Sequence, residues 1–360
     1  MSMSRAIAIC ALAIGLLAAC APVTSTPAPS SSDSPVASTT PDPTPTPPTH
    51  PEPLLDLTCD DLATASLATL LPDTTPRDPV LKVLDEPTIP SSLSVRSLGG
   101  LTCEYSNGVA HDPYAGAGAS YVGAEVVVLP DAATPYERWA EGYGDGDMVC
   151  PSDYGCSSDV LVGTTWVSIR IVGVANAEAA WSYQNEVSAA VAAAGPGAAP
   201  WSIESTVPST CWDIVPDAEI AGALGIDVPI YGQPPHGGWS LEASADERLG
   251  ASRCWWGIPS SELGPGTISA LPAGRWALDD YRPLLTQPGP LLAVDVAGME
   301  PGDEAWLRCA SDDSECTLDL GIDSDWIQVT LVAPDHTAAP PFDRRAGALA
   351  LAAAIVAARD

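Results

Sequence analysis

The sequence predicts an α+β protein of two tandem, homologous domains, each a mainly antiparallel sheet with packed helices and two disulfides. Three observations predict it. The eight cysteines beyond Cys20 form two sets of four in the same order at nearly the same spacing, Cys59, Cys103, Cys150, Cys156 and then Cys211, Cys254, Cys309, Cys316. Their flanks agree: Leu57-Thr58-Cys59-Asp60-Asp61-Leu62 parallels Ser209-Thr210-Cys211-Trp212-Asp213-Ile214. Strand-like alternation recurs in register, as Trp166-Val167-Ser168-Ile169-Arg170-Ile171 and Trp326-Ile327-Gln328-Val329-Thr330-Leu331.

Each half opens with a helical pattern after its first cysteine. A strand follows around the second cysteine, which is trailed by Glu104-Tyr105 or Trp255-Trp256, and the next strand-like run ends in Leu129-Pro130 or Leu271-Pro272. Ten residues beyond each leucine stands an aromatic, Trp139 or Tyr281, and ten beyond each last cysteine stands Trp166 or Trp326. Apolar helices, roughly Glu178 to Ala194 and Asp343 to Ala358, close the halves. The order per domain is helix, strand, strand, helix, strand, helix, an antiparallel sheet carrying helices on one face. Glycine and proline break the chain in Gly195-Pro196-Gly197-Ala198-Ala199-Pro200. The first domain is therefore placed at 54–195, a linker at 196–200 and the second domain at 201–360.

An oxidising setting favours disulfides over metal ligands for these cysteines, and neither close pair, Cys150 with Cys156 or Cys309 with Cys316, has a histidine beside it for zinc. Each repeat must be self-sufficient and use the same pairing. The pairing taken is Cys59 to Cys103, Cys150 to Cys156, Cys211 to Cys254 and Cys309 to Cys316. In the loop-entropy view the two long bridges stabilise by about 4 kcal/mol each and the short ones by about 2.

Residues 1–19 hold one charge, Arg5, an apolar run from Ala6 to Leu17, and small residues leading to a cysteine, which is the pattern of a secretory signal. Leu17-Ala18-Ala19-Cys20 resembles the lipobox of bacterial lipoproteins. That resemblance implies diacylglycerol on Cys20 and cleavage before it, and a pair of acyl chains anchors stably where one would bind reversibly. Between Ala21 and Pro53 the chain is mostly Pro, Thr, Ser and Ala, with eleven prolines. It cannot bury a core, and as polyproline II it forms a stalk (20–53 with the lipidated cysteine) of about 100 Å. The expected address is the extracytoplasmic face of the cell membrane.

A cysteine followed by an aspartate- and leucine-bearing helix, then a cysteine with an aromatic one or two positions later, behind a lipobox and a Thr/Pro stalk, resembles the actinobacterial cell-envelope lipoproteins of unassigned function. It is also loosely similar to the extracellular sensor domain of mycobacterial receptor kinases. The resemblance implies fold more than activity, and it carries no catalytic residues. This chain departs from the receptors in placing two domains on one anchor without a kinase.

The formal charge is −32, and loss of residues 1–19 with Arg5 makes it −33. Nucleic acid and anionic lipid require a basic face, so no nucleic-acid partner is expected. The membrane is met through the anchor. The chain holds no Gly-x-Ser-x-Gly, Ser-x-x-Lys, His-Glu-x-x-His or phosphate-cradling glycine loop. His50 lies in the stalk, and His111, His236 and His336 lie in loop-like sequence. No catalytic residue, cofactor or metal is assigned. Asp145 and Asp147 in a Gly-Asp-Gly-Asp run are the best calcium ligands on offer, without an EF-hand pattern around them.

Tryptophan is the remaining signal. Trp166, Trp326 and one of Trp255 and Trp256 hold repeat-equivalent places and are expected to pack the cores beside the disulfides. Trp239 and Trp276 have no aromatic counterpart in the first domain and are the candidate ligand-binding residues, since exposed indoles make platforms for sugar rings or apolar ligands. The function expected is a ligand-binding or sensing module on the cell surface. The alternatives are a protein scaffold or accessory lipoprotein, and a hydrolase using paired carboxylates.

Overall fold

The computed structural model describes residues 49–77, 88–109, 121–144, 146–151, 155–174, 176–202, 204–225, 230–232, 240–256, 266–332 and 342–359. In the first half the described elements are α1 (Cys59–Leu62), α2 (Ala65–Leu70), β1 (Thr75–Arg77), a 3-10 turn Ser91–Leu93 running into α3 (Ser94–Ser97), β2 (Leu101–Ser106), β3 (Gly123–Leu129), α4 (Ala133–Tyr143), β4 (Cys156–Val162), β5 (Thr165–Val172) and α5 (Ala177–Ala193). In the second they are α6 (Cys211–Ile214), α7 (Asp217–Leu224), β6 (Ile230–Gly232), α8 (Leu241–Leu249), β7 (Ser252–Trp256), β8 (Gly266–Leu271), α9 (Arg275–Tyr281), β9 (Leu292–Ala293), β10 (Glu304–Cys309), β11 (Glu315–Ile322), β12 (Asp325–Val332) and α10 (Arg344–Ala357).

Local chemistry sets the helix ends. Thr58 donates to the Asp61 carboxylate through both its backbone N (2.8 Å) and Oγ1 (2.6 Å), which fixes the first turn of α1. Side chains of Asn176, Ser240 and Asp343 accept from the backbone N three residues on and start α5, α8 and α10. Gly99 (φ 72°) and Gly250 (φ 75°) stop the helices before β2 and β7 in the left-handed conformation that glycine adopts without strain.

Both sheets are antiparallel, in the orders β1-β2-β3-β5-β4 and β6-β7-β8-β12-β11-β10-β9. The first five strands of the second order repeat the first sheet. All four disulfides form in the expected pairing, Cys59–Cys103, Cys150–Cys156, Cys211–Cys254 and Cys309–Cys316. Three features depart from expectation. Each half has a strand pairing with the Trp-led strand: β4 with β5, and β11 with β12. Polar residues such as Ser157 and Asp159 interrupt the alternation that would have revealed it. Each half also carries a helix just before its second cysteine, and helices cover both faces of each sheet.

Side chains alternate between those faces. On one, Val126, Val128 and Ile169 pack with Cys103, Leu62, Leu67 and Val187, joining the sheet to α1, α2 and α5. Its counterpart in the second half joins Ile268, Val329 and Leu318 to Leu351 and Ile355 of α10. The Ala-rich α10 is thus docked on the sheet, and no helix among the described residues is long and apolar enough to cross a membrane.

The opposite faces meet each other's halves. Val127, Leu129, Trp139 and Trp166 of the first half pack with Leu241 and Ala245 of α8, a helix of the second. Leu271, Trp276, Tyr281 and Trp326 of the second pack with Ile89 and Leu93 from the first half's helical segment. The second half thus lends α8 to the first sheet, and the first half lends Ile89 and the 3-10 turn Ser91–Leu93 to the second, while Val95 of α3 stays against its own sheet. Trp166 and Trp326 are fully buried, but on this exchanged face and away from the disulfides, which corrects the expectation that they pack beside the bridges. Burying each of Leu93, Ile89 and Leu241 stabilises the seam by about 1.5–3 kcal/mol. Residues 47–360 consequently form one compact unit.

Candidate functional site

Cys20 and Trp239 lie outside the described residues, as does Asp145. The eight cysteines beyond Cys20 are all bridged, so no free thiol remains among the described residues. Cys309, Asp313 and Cys316 come close enough to resemble a metal site, but both sulfurs belong to one disulfide and are not thiolate ligands. A small recess of about 10 Å³, the room of a single water, lies among Pro53, Leu55, Gly99 and Val128.

Trp276 sits in α9 at the seam, 8% exposed. It is no open platform, because the Arg96 guanidinium from α3 covers its ring, 4.7 Å from the centroid. Arg96 Nη1 also donates to the Tyr281 hydroxyl at 2.8 Å. Trp201, at the start of the second half, meets Trp276 edge to face at 6.4 Å. The first half therefore supplies one cation and the second half three aromatic rings to a single spot. The indole N–H groups of both Trp201 and Trp276 are buried and meet no acceptor among the described residues. Sequence reasoning singled out Trp276 and missed Arg96 and Trp201. Neither belongs to the cysteine-centred repeat, and their meeting depends on helix exchange.

Beside this cluster runs a polar seam. Ser94 Oγ donates to Asp246 of α8, whose other oxygen accepts from Arg253 Nε at 3.1 Å. Burial raises the Asp246 carboxyl to about 6, opposed by the Arg253 charge and the Ser94 bond and reinforced by Glu242 one turn away. Ser91 N and Oγ bond Ser269 Oγ of β8 at 3.1 and 2.9 Å. At the rim, Arg138 pairs with Glu247 at 2.6 Å, Arg170 with Glu242 at 3.9 Å, and Arg248 donates to the Pro130 carbonyl at 2.9 Å.

A second device recurs in both halves. Trp166 Nε1 donates to Asp159 at 3.0 Å, and Trp326 Nε1 to Asp319 at 3.0 Å. Each aspartate stands three residues after its half's last cysteine, a further register shared by the two halves. Asp319 also accepts from Gln328 at 2.8 Å and Arg308 at 3.0 Å. Asp325 accepts from Ala273 N, Thr206 and Arg359. Asp319 and Asp325, saturated in this way, have no lone pair directed at a substrate. Comparison with protein-family models, curated proteins and solved structures returned no match.

Proposed function

We propose that this chain is an exported lipoprotein, anchored through Cys20, that displays its folded unit on the Pro/Thr stalk as a binding or sensing module of the cell envelope. The resemblance to actinobacterial envelope lipoproteins supports this reading. So do the four disulfides, which suit an oxidising compartment. One observation carries it furthest. Each half's lent segment fills the other's seam face with packed apolar side chains, so the unit meets its partner on the outside instead of closing two halves around a small molecule. A pre-formed surface loses little entropy on binding, which suits recognition of a macromolecule.

Two measurements test it. Cells fed a fatty acid bearing a clickable alkyne should label the wild-type chain, and Cys20→Ser should abolish the label. A label that survives the substitution rules out the anchor. A photo-crosslinking residue at Trp212 or Trp181, the exposed indoles (46% and 40%), should give a discrete envelope adduct. A small molecule carried stoichiometrically through purification, with no adduct, would overturn the macromolecular reading.

A further inference from the structure

We infer that the seam spot formed by Arg96, Trp201, Trp276 and Tyr281 is a binding site for a carboxylate. The inference rests on the recognition reading above and names the chemical group that is recognised. The chain is strongly acidic, and most of its described arginines lie within salt-bridge distance of a carboxylate. Arg96 does not. Of its five N–H donors, the only hydrogen bond among the described residues is the one to Tyr281 Oη.

The contrast with a second stacked arginine makes the point. Arg282 lies 5.0 Å from the Trp306 ring centroid, yet its Nη1 reaches both oxygens of Glu304 at 2.8 Å and Asp279 at 3.6 Å. That cation is neutralised by the chain itself. Arg96 has the same kind of aromatic support with no internal anion. Trp276 is more than nine-tenths buried. A guanidinium stacked on an indole, with one neutral hydroxyl partner and no anion, is completed by a group that only accepts. A carboxylate fits best: it is planar and matches the guanidinium fork, and stacking on indole removes part of the water that would weaken the pair. Arg96 and Trp201 are only partly buried, which leaves the spot open to a ligand. Trp201 offers its ring to a sugar or an apolar side chain next to the acid.

The test uses the folded chain without its lipid, with indole N–H resonances of Trp201 and Trp276 followed by NMR. The probes are glucuronate and a short acetylated peptide ending in a free carboxylate, with methyl glucoside as the uncharged control. A carboxylate probe should shift both resonances saturably with a dissociation constant of about 1 mM or tighter, and the control should not. The better acid probe tells sugar acid from peptide. Arg96→Met, which keeps the stem over Trp276, should weaken binding at least about tenfold, and Arg96→Lys should weaken it less. The Lys variant also serves if the Met variant unfolds. Absence of saturable shifts, or equal binding by wild type and both variants, overturns the site. Because this assay uses no lipid and no envelope, its failure leaves the anchoring test standing, and the reverse holds.

Discussion

Asp159 and Asp319 perform one task in different company. Each accepts the indole N–H of the tryptophan seven residues on, at 3.0 Å, and so fixes the ring against the segment lent by the other half. Asp159 stands on β4, the edge strand of the five-stranded sheet, where the neighbouring chain adds the Val149–Ser157 bridge, the Cys150–Cys156 disulfide and a bond from Asp159 N to the Gly146 carbonyl. Burial raises its pKa, and the bond from Trp166 opposes the rise. Asp319 is completely buried because β10 and β9 extend the second sheet past it, and β10 brings Arg308 to pair with it. The repeat has kept the bond that positions the tryptophan. Only the second half has enclosed it, which makes the same carboxylate far harder to remove.

Several experiments sharpen this contrast, beginning with the largest effect. Asp319→Ala leaves Arg308 buried and unpaired, and should cost about 3–5 kcal/mol in urea unfolding. Asp159→Ala should cost about 1–3 kcal/mol, because it forfeits one indole acceptor at a partly open edge. Equal losses would mean that the extra strands add nothing to the tie.

Next comes Leu241→Ala, expected to cost about 2–4 kcal/mol from cavity formation on the exchanged face. Although Leu241 belongs to the second half, its substitution should move NMR signals of Trp139 and Trp166 in the first half more than those of Trp326. The reverse order would contradict the exchange.

The charge at the seam gives a pH dependence. The folded Asp246 carboxyl titrates at about 6 against an ordinary value of 3.8, so the folded state holds a proton that the unfolded chain has released between those values. Its contribution therefore destabilises at neutral pH and is relieved as pH falls from 7 towards 4, by on the order of 2–3 kcal/mol. Asp246→Asn should flatten that part of the stability profile, measured by urea melts across this range. A wild-type profile in which Asp246 makes stability fall with acidification would reverse the sign. The smallest effect is expected for Arg138→Ala. Its pair with Glu247 is exposed on both sides, so the loss should stay below about 1 kcal/mol and shrink in salt.

Much of the fold is legible in the cysteine register, because a disulfide joins fixed points and a duplication shows them twice. The pairing, the closing helices and the strand led by Trp166 or Trp326 all follow from it. The lent segments do not. Ile89, Leu93, Leu241 and Ala245 have ordinary apolar spacing, and nothing local specifies which of two similar sheets receives them. Strand β4 was hidden by its polar run Ser157-Ser158-Asp159, in which Ser158 takes a core-facing place beside Cys156 and Val160 and Asp159 turns to the seam. At the candidate site Trp276 stood out by lacking a counterpart, whereas Arg96 and Trp201 acquire meaning only when the two halves are brought together.

The central claim is that reciprocal exchange makes the two halves one cooperative unit. Hydrogen exchange under increasing urea, read by mass spectrometry on peptides from β3 and β5 and from β8 and β12, tests it directly. Both peptide sets should lose protection at the same urea concentration, and Leu241→Ala should lower both midpoints together. Two separate midpoints in the wild-type chain, with Leu241→Ala moving only one, would contradict the account.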